Sequence, residues 1–176
     1  MNLPNKLSIL RVLCVPAITA LLCFSPAWCR WAAFALFILG SLTDYLDGHL
    51  ARKNNWITDF GKFIDPVADK LLVLSTLIML SERGLFPAWM NVLLLTRELS
   101  VDGLRLIAGT KGHVIAAGPL GKIKTFSQMI FVLFLMITWQ PAFSTWYGTV
   151  FALWIAGITL FSGIDYFRRN LDVFRE

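Results

Sequence analysis

Four aspartates and the small residues spaced between them are the part of this 176-residue sequence that can do chemistry. Asp44 and Asp47 stand three apart, and Gly48, Ala51 and Arg52 follow them; Gly61, Asp65 and Asp69 then recur every fourth residue. On a helix turning 100° per residue, the first five fall within an arc of about 140°, and the last three form a stripe. Carboxylates gathered this closely repel one another, and some are driven to protonate unless a cation joins them. Hard oxygen donors without His or Cys on the same faces suit Mg²⁺, Mn²⁺ or Ca²⁺ rather than zinc. Two such ions bridged by shared carboxylates clamp the attacking and leaving oxygens of a phosphoryl displacement. Gly48, Ala51 and Gly61 are small, which leaves room for a ligand against the backbone. A salt bridge from one acid pair to Arg52, Lys62 or Lys70 at a wet interface is the bland alternative.

The elements that must position these residues are two antiparallel helices joined by a loop of about nine residues. Asp44 and Asp47 precede Arg52 by about 12 and 8 Å of helix, and Asp65 and Asp69 follow Gly61 by about 6 and 12 Å. The two pairs therefore meet at one depth, near the loop that joins their helices.

Composition says that the solvent around these helices is lipid. The chain is 57% apolar and 15% charged, with seven Trp and fourteen Phe. Soluble domains average about 45–50% apolar and about 25% charged, so a soluble module, a disordered tail and a disulfide scaffold are excluded. The net charge of +5 comes from singly scattered residues, which does not suit a nucleic-acid surface. Cys14, Cys23 and Cys29 are an odd number without C-x-x-C spacing and are read as apolar fillers, Cys29 outside a span. No cleavage-type small-residue site follows the first apolar run, so the N-terminal segment is read as retained.

Six stretches reach the roughly 20 apolar residues a crossing needs, at about 7–24, 31–52, 62–81, 87–108, 123–140 and 146–167. Trp28, Trp31, Trp89, Trp139 and Trp146 fall near their ends, as interfacial anchors do. Lys6, Arg52, Lys53, Lys62, Lys111, Lys122, Lys124, Arg168, Arg169 and Arg175 collect on one side, and only Arg30 and Arg83 on the other. The positive-inside rule then puts both termini and the aspartates at the cytoplasmic face. The expected architecture is an all-α integral membrane protein, a six-helix bundle forming one domain over residues 1–176.

Charges inside the spans call for a function, because each costs about 2.5–3.5 kcal/mol to insert. Besides the four aspartates they include Arg11, Lys70, Arg97, Glu98, Asp102 and Arg105. Arg105, Lys122 and Lys124 are expected level with the aspartates, and Arg97 about 12 Å deeper than Arg105. Arg forks and Lys point charges suit phosphate, so Arg97, Arg105, Lys122 and Lys124 fit an acceptor that carries its own phosphate. The alternative is that Arg97 neutralises Glu98 or Asp102 while the lysines only set orientation. A cation transporter would spread its acids through the membrane depth, whereas these four gather at one face.

The run Asp44-x2-Asp47-Gly48-x2-Ala51-Arg52-x8-Gly61-x3-Asp65-x3-Asp69 resembles the signature of the CDP-alcohol phosphotransferase family at every fixed position. That resemblance implies a six-helix membrane enzyme, usually a homodimer, which moves a phosphatidyl or related group from a CDP-linked donor to an alcohol and releases CMP. By motif position, Asp44, Asp47, Asp65 and Asp69 would hold the divalent metal, Mg or Mn and two ions, and Asp69 would also be the catalytic base. Asp47, Gly48, Ala51, Arg52 and Gly61 would line the CDP site.

Further features are similar to the bacterial branch of the family that uses sn-glycerol 3-phosphate. They are Asn2-Leu3-Pro4-Asn5 with Ser8 and Arg11, Arg97-Glu98 with Arg105, and Gly121-Lys122 with Lys124, Thr125 and Gln128. The implied reaction joins CDP-diacylglycerol and glycerol 3-phosphate in phospholipid biosynthesis, at the cytoplasmic face of a bacterial inner membrane. Cardiolipin-forming relatives share several of these features, which leaves the acceptor open.

Overall fold

The computed structural model describes residues 3–54, 59–110 and 118–170, with side chains outside 3–5, 44–60 and 62–63. Among the described residues there are six helices and no strand: α1 (Leu3–Cys23), α2 (Ala27–Asn54), α3 (Asp59–Glu82), α4 (Ala88–Thr110), α5 (Pro119–Thr138) and α6 (Trp146–Arg169). Each overlies one expected stretch, with ends that differ from it by up to four residues; α5, for instance, begins four residues before and stops two residues short. Local chemistry accounts for several of the ends. Gly84, at φ 73°, takes the left-handed turn beyond α3. Pro119 opens α5, where its missing N–H costs nothing. The Thr145 side chain caps α6 by accepting from the Gly148 amide at 3.2 Å.

The chain divides into two compact units, one built on α1, α2 and α3, the other holding α4, α6 and most of α5. In the first, α1 packs against both α2 and α3. Ile18, Leu22, Phe37, Leu72 and Leu77 are buried there. Gly40 allows the close approach: a Cβ on it would come within 3.1 Å of the Leu72 side chain. Arg83 closes the unit at the other end, donating to the Leu22 carbonyl at 2.7 Å and the Phe24 carbonyl at 2.8 Å. A cation on the last carbonyls of α1 also suits the negative end of the helix dipole.

In the second unit, Phe131 lies under Phe86 and Phe151, with ring centroids 5.5 and 4.9 Å away. Beside Ile155, Ile158 and Tyr166, α6 buries several small and hydroxyl residues and exposes large apolar ones. Gly148, Ala152, Thr159 and Ser162 are buried, while Val150, Leu153, Phe161 and Ile164 face outward. Small and hydroxyl residues inside and large apolar residues outside are what helices use to pack in lipid. Exposed Trp28, Trp89 and Trp146 stand in the first turns of α2, α4 and α6, where interfacial anchors belong.

Among the described residues, three helical segments are long and apolar enough to cross a membrane: Lys6–Cys23, Pro119–Thr138 and Trp146–Arg169. Helices α3 and α4 are as long but carry several charged residues, and the described side chains of α2 form an apolar stretch over Ala27–Thr43. Cys29 corrects an expectation. It lies inside α2 and is buried, because the helix begins directly after Pro26 rather than at residue 31.

Gly148 gives the fold a sharp test. A Cβ there would meet the Ala142 carbonyl oxygen at 2.4 Å, whereas at Gly157 nothing lies within 4 Å. Gly148→Ala is expected to cost about 1–3 kcal/mol, and Gly157→Ala to be neutral or to stabilise by up to about 1 kcal/mol. Unfolding of both variants in detergent, followed by circular dichroism, checks the contrast.

Candidate active site

The site grows from three helices of the first unit. Asp65 and Asp69 stand one turn apart on α3, and each is met by a side chain from α1. Ser8 donates to Asp65 Oδ1 at 2.5 Å. Arg11 donates through Nη1 to Asp69 Oδ1, also at 2.5 Å, and through Nε to the Gly40 carbonyl of α2 at 3.2 Å. Ser8 and Arg11 are fully buried, while the Asp69 side chain keeps 27% of its surface exposed. One arginine therefore fixes the register of α1, α2 and α3, and it orients a carboxylate that still reaches the open side.

Gly61 is buried in the first turn of α3, as expected of a residue with a ligand or backbone close by. Asp44, Asp47, Gly48, Ala51 and Arg52 lie on the last turns of α2. Their side chains are outside the described residues, so the expected four-carboxylate cluster is seen only in its α3 half. Among the described residues, no three His, Cys, Asp or Glu come together to hold a metal. The donor set still fits a hard divalent ion, since Asp65 and Asp69 offer carboxylate oxygens on one stripe.

The basic residues expected to meet an acceptor phosphate belong to the second unit. Glu98 is buried and binds two of them, accepting from Lys124 Nζ and from Arg97 Nη1, the latter at 3.2 Å. A Cβ on Gly121 would stand 3.7 Å from Arg97 Nη2, so the first turn of α5 lies alongside that guanidinium. Arg105 is held from α6: its Nε donates to the Tyr166 hydroxyl at 2.8 Å, and its guanidinium lies 5.4 Å from the ring centre. Lys122 is exposed.

One expected level is corrected here. Lys124 meets Glu98, seven positions before Arg105 on α4, or about 10 Å of helix from the level expected. The start of α5 thus stands beside Arg97 and Glu98, because the buried acid draws the lysine to it. Sequence reasoning also passed over the partnerships of Ser8 with Asp65 and of Arg11 with Asp69. The signal was present, since an arginine in an apolar helix must find an acid, but helical periodicity does not say which one.

With this geometry in place, comparison with known proteins decides the family. A family model for CDP-alcohol phosphatidyltransferases matches residues 1–160. The chain belongs to the CDP-alcohol phosphatidyltransferase family. It is similar to a CDP-diacylglycerol–glycerol-3-phosphate 3-phosphatidyltransferase of Bacillus subtilis, at 40% identity over 99% of this chain and 97% of that one. A protein of the same name from Rickettsia typhi is 38% identical over 95% of this chain and 96% of its own. A probable phosphatidylglycerophosphate synthase of Mycobacterium tuberculosis is 39% identical over 97% of this chain and 82% of its own.

The Arg11–Asp69 pair is open to a direct test. Arg11→Met is expected to lower stability by about 3–5 kcal/mol, the usual result of stripping one partner from a buried pair. Adding Asp69→Asn should recover part of that loss, since no uncompensated carboxylate then remains. A double-mutant cycle from denaturation in detergent micelles measures the coupling.

Proposed function

We propose that this protein transfers phosphatidyl from CDP-diacylglycerol to sn-glycerol 3-phosphate, giving phosphatidylglycerol phosphate and CMP in phospholipid biosynthesis. The observation that carries the reading is Asp69, a partly exposed carboxylate held in place by a buried arginine within the family's aspartate signature. Relatives covering nearly the whole chain bear the name of that activity.

In this reading Asp44, Asp47, Asp65 and Asp69 would hold the divalent metal, Mg or Mn, as two ions. A metal held there would supply positive charge against the charge that builds on the donor's pyrophosphate as it is cleaved. Asp47, Gly48, Ala51, Arg52 and Gly61 cradle the CDP moiety. Asp69 takes the proton from the acceptor hydroxyl as its oxygen attacks the phosphorus that carries the diacylglycerol. The bond from that phosphorus to the bridging oxygen then breaks, and CMP leaves with the electron pair.

Arg97, Arg105, Lys122 and Lys124 bind the acceptor's phosphate. Glu98 holds Arg97 and Lys124 together, and Tyr166 holds Arg105. The chain acts as one domain over residues 1–176, a six-span homodimer of a bacterial inner membrane. Both termini and the active site face the cytoplasm, where a membrane-borne donor and a soluble acceptor meet.

CMP release by the purified protein in detergent, with CDP-diacylglycerol, Mg²⁺ or Mn²⁺ and a panel of acceptors, tests this reading. Glycerol 3-phosphate is expected to be the preferred acceptor. A preference for phosphatidylglycerol would assign cardiolipin synthesis instead, and no CMP with any acceptor would reopen a transport role. Asp69→Asn, which also leaves Arg11 without its counter-charge and so lowers stability, should lose about 10²–10⁴-fold in kcat per folded molecule, the folded fraction being read by circular dichroism. Arg105→Ala should raise the KM for glycerol 3-phosphate well above any change in the donor's KM; flat values for both would remove it from the acceptor site.

A further inference from the structure

We propose that Ser8 is a positioning residue for the divalent metal: its hydroxyl fixes the Asp65 carboxylate and so sets how tightly the ion is held. The inference rests on the reading in which Asp65 is one of the ligands, and it adds to that reading an uncharged residue of α1.

Ser8 has no exposed surface and lies one turn before Arg11 on α1. A hydroxyl taken so far from water needs a good acceptor. It has one in Asp65 Oδ1, at 2.5 Å, a distance in the range of O–H bonds to a charged oxygen. Asp65 Oδ2 has no partner among the described residues, and the side chain is only partly buried. One oxygen is pinned, and the other is left for a cation.

The backbone makes that pin useful. Asp65 directly precedes Pro66 inside α3. Proline has no N–H to give the helical ladder, and it disfavours helical geometry in the residue before it. The helix is therefore least self-supporting where this ligand stands. Ser8 supplies the missing support from outside, across the packing of α1 on α3.

The kind of partner matters as much as its place. Asp69 is met by the Arg11 guanidinium, which offsets part of its charge. Asp65 is met by a neutral hydroxyl, which orients the oxygens and cancels none of their charge. A cationic side chain at position 8 would hold Asp65 as firmly and would repel the ion. Hydrogen bonds of this kind to a ligating group are worth about 10–100-fold in metal affinity.

The test titrates Mn²⁺ into the whole protein in detergent, reading free Mn²⁺ by electron paramagnetic resonance and folding by circular dichroism. Ser8→Ala is expected to raise the Kd for Mn²⁺ about 10–100-fold. Raising Mn²⁺ should then recover CMP release, because the ligands themselves are intact. Thr76→Val is the control for a merely structural loss. Thr76 is also buried in the first unit, and its hydroxyl is bonded to the Leu72 carbonyl at 2.7 Å, away from the carboxylates. It should leave the Kd for Mn²⁺ at the wild-type value.

A Kd unchanged by Ser8→Ala, or raised as much by Thr76→Val, would overturn the proposal. A wild type that binds no Mn²⁺ would instead overturn the metal site on which the proposal rests. If the wild type releases no CMP with any acceptor yet Ser8→Ala still weakens Mn²⁺ binding, the transferase reading fails and the positioning role stands.

Discussion

An arginine with no exposed surface has to be answered from within, and the first unit is organised around that requirement. Arg11 reaches Asp69 on α3 and the Gly40 carbonyl on α2. In a low-dielectric interior a pair of this kind repays its desolvation only when the geometry is close and the remaining donors are used. Both conditions are met, and they tie Asp69 of the family signature to the packing of three helices. Its side chain keeps 27% of its surface open on one side and is immobilised on the other. Ser8 gives Asp65 a milder version of the same support.

The second unit solves a related problem with the opposite sign. Its buried charge is an acid, Glu98, and two cations converge on it from α4 and α5. Outside such polar knots, cohesion comes from close packing of small residues, since lipid offers no hydrophobic reward for bringing helices together. The buried face of α6 uses such packing in part: Gly148, Ala152, Thr159 and Ser162 pack inward beside Ile155, Ile158 and Tyr166, while Val150, Leu153, Phe161 and Ile164 face outward.

Much of this was legible in the sequence. Each helix lies over its apolar stretch, because a run of about 20 apolar residues bounded by Pro and Gly leaves the backbone few other choices in lipid. The aspartate stripes could be read because their spacing repeats the turn of a helix. Partner choice was less legible. Nothing in the period of α1 says that Arg11 faces α3, or that Lys124 stands beside Glu98 rather than level with Arg105. Those facts depend on how helices rotate and slide against each other, which is set by residues such as Gly40 that make room for a neighbour. Cys29 shows the smaller error of the same reading, since hydropathy marks the apolar stretch and the helix runs past it.

The distance along the chain between Arg11 and Asp69 has a consequence for biosynthesis. The two residues are separated by 58 positions, so α1 enters the membrane long before its acid exists. During that interval the arginine is a charge in an apolar segment, a burden of about 2.5–3.5 kcal/mol that snorkelling toward the headgroups can relieve. The first helix therefore carries an unanswered charge when it is made, and that charge is answered only once α3 arrives, so that support of the Asp69 carboxylate and neutralisation of the first helix are one event.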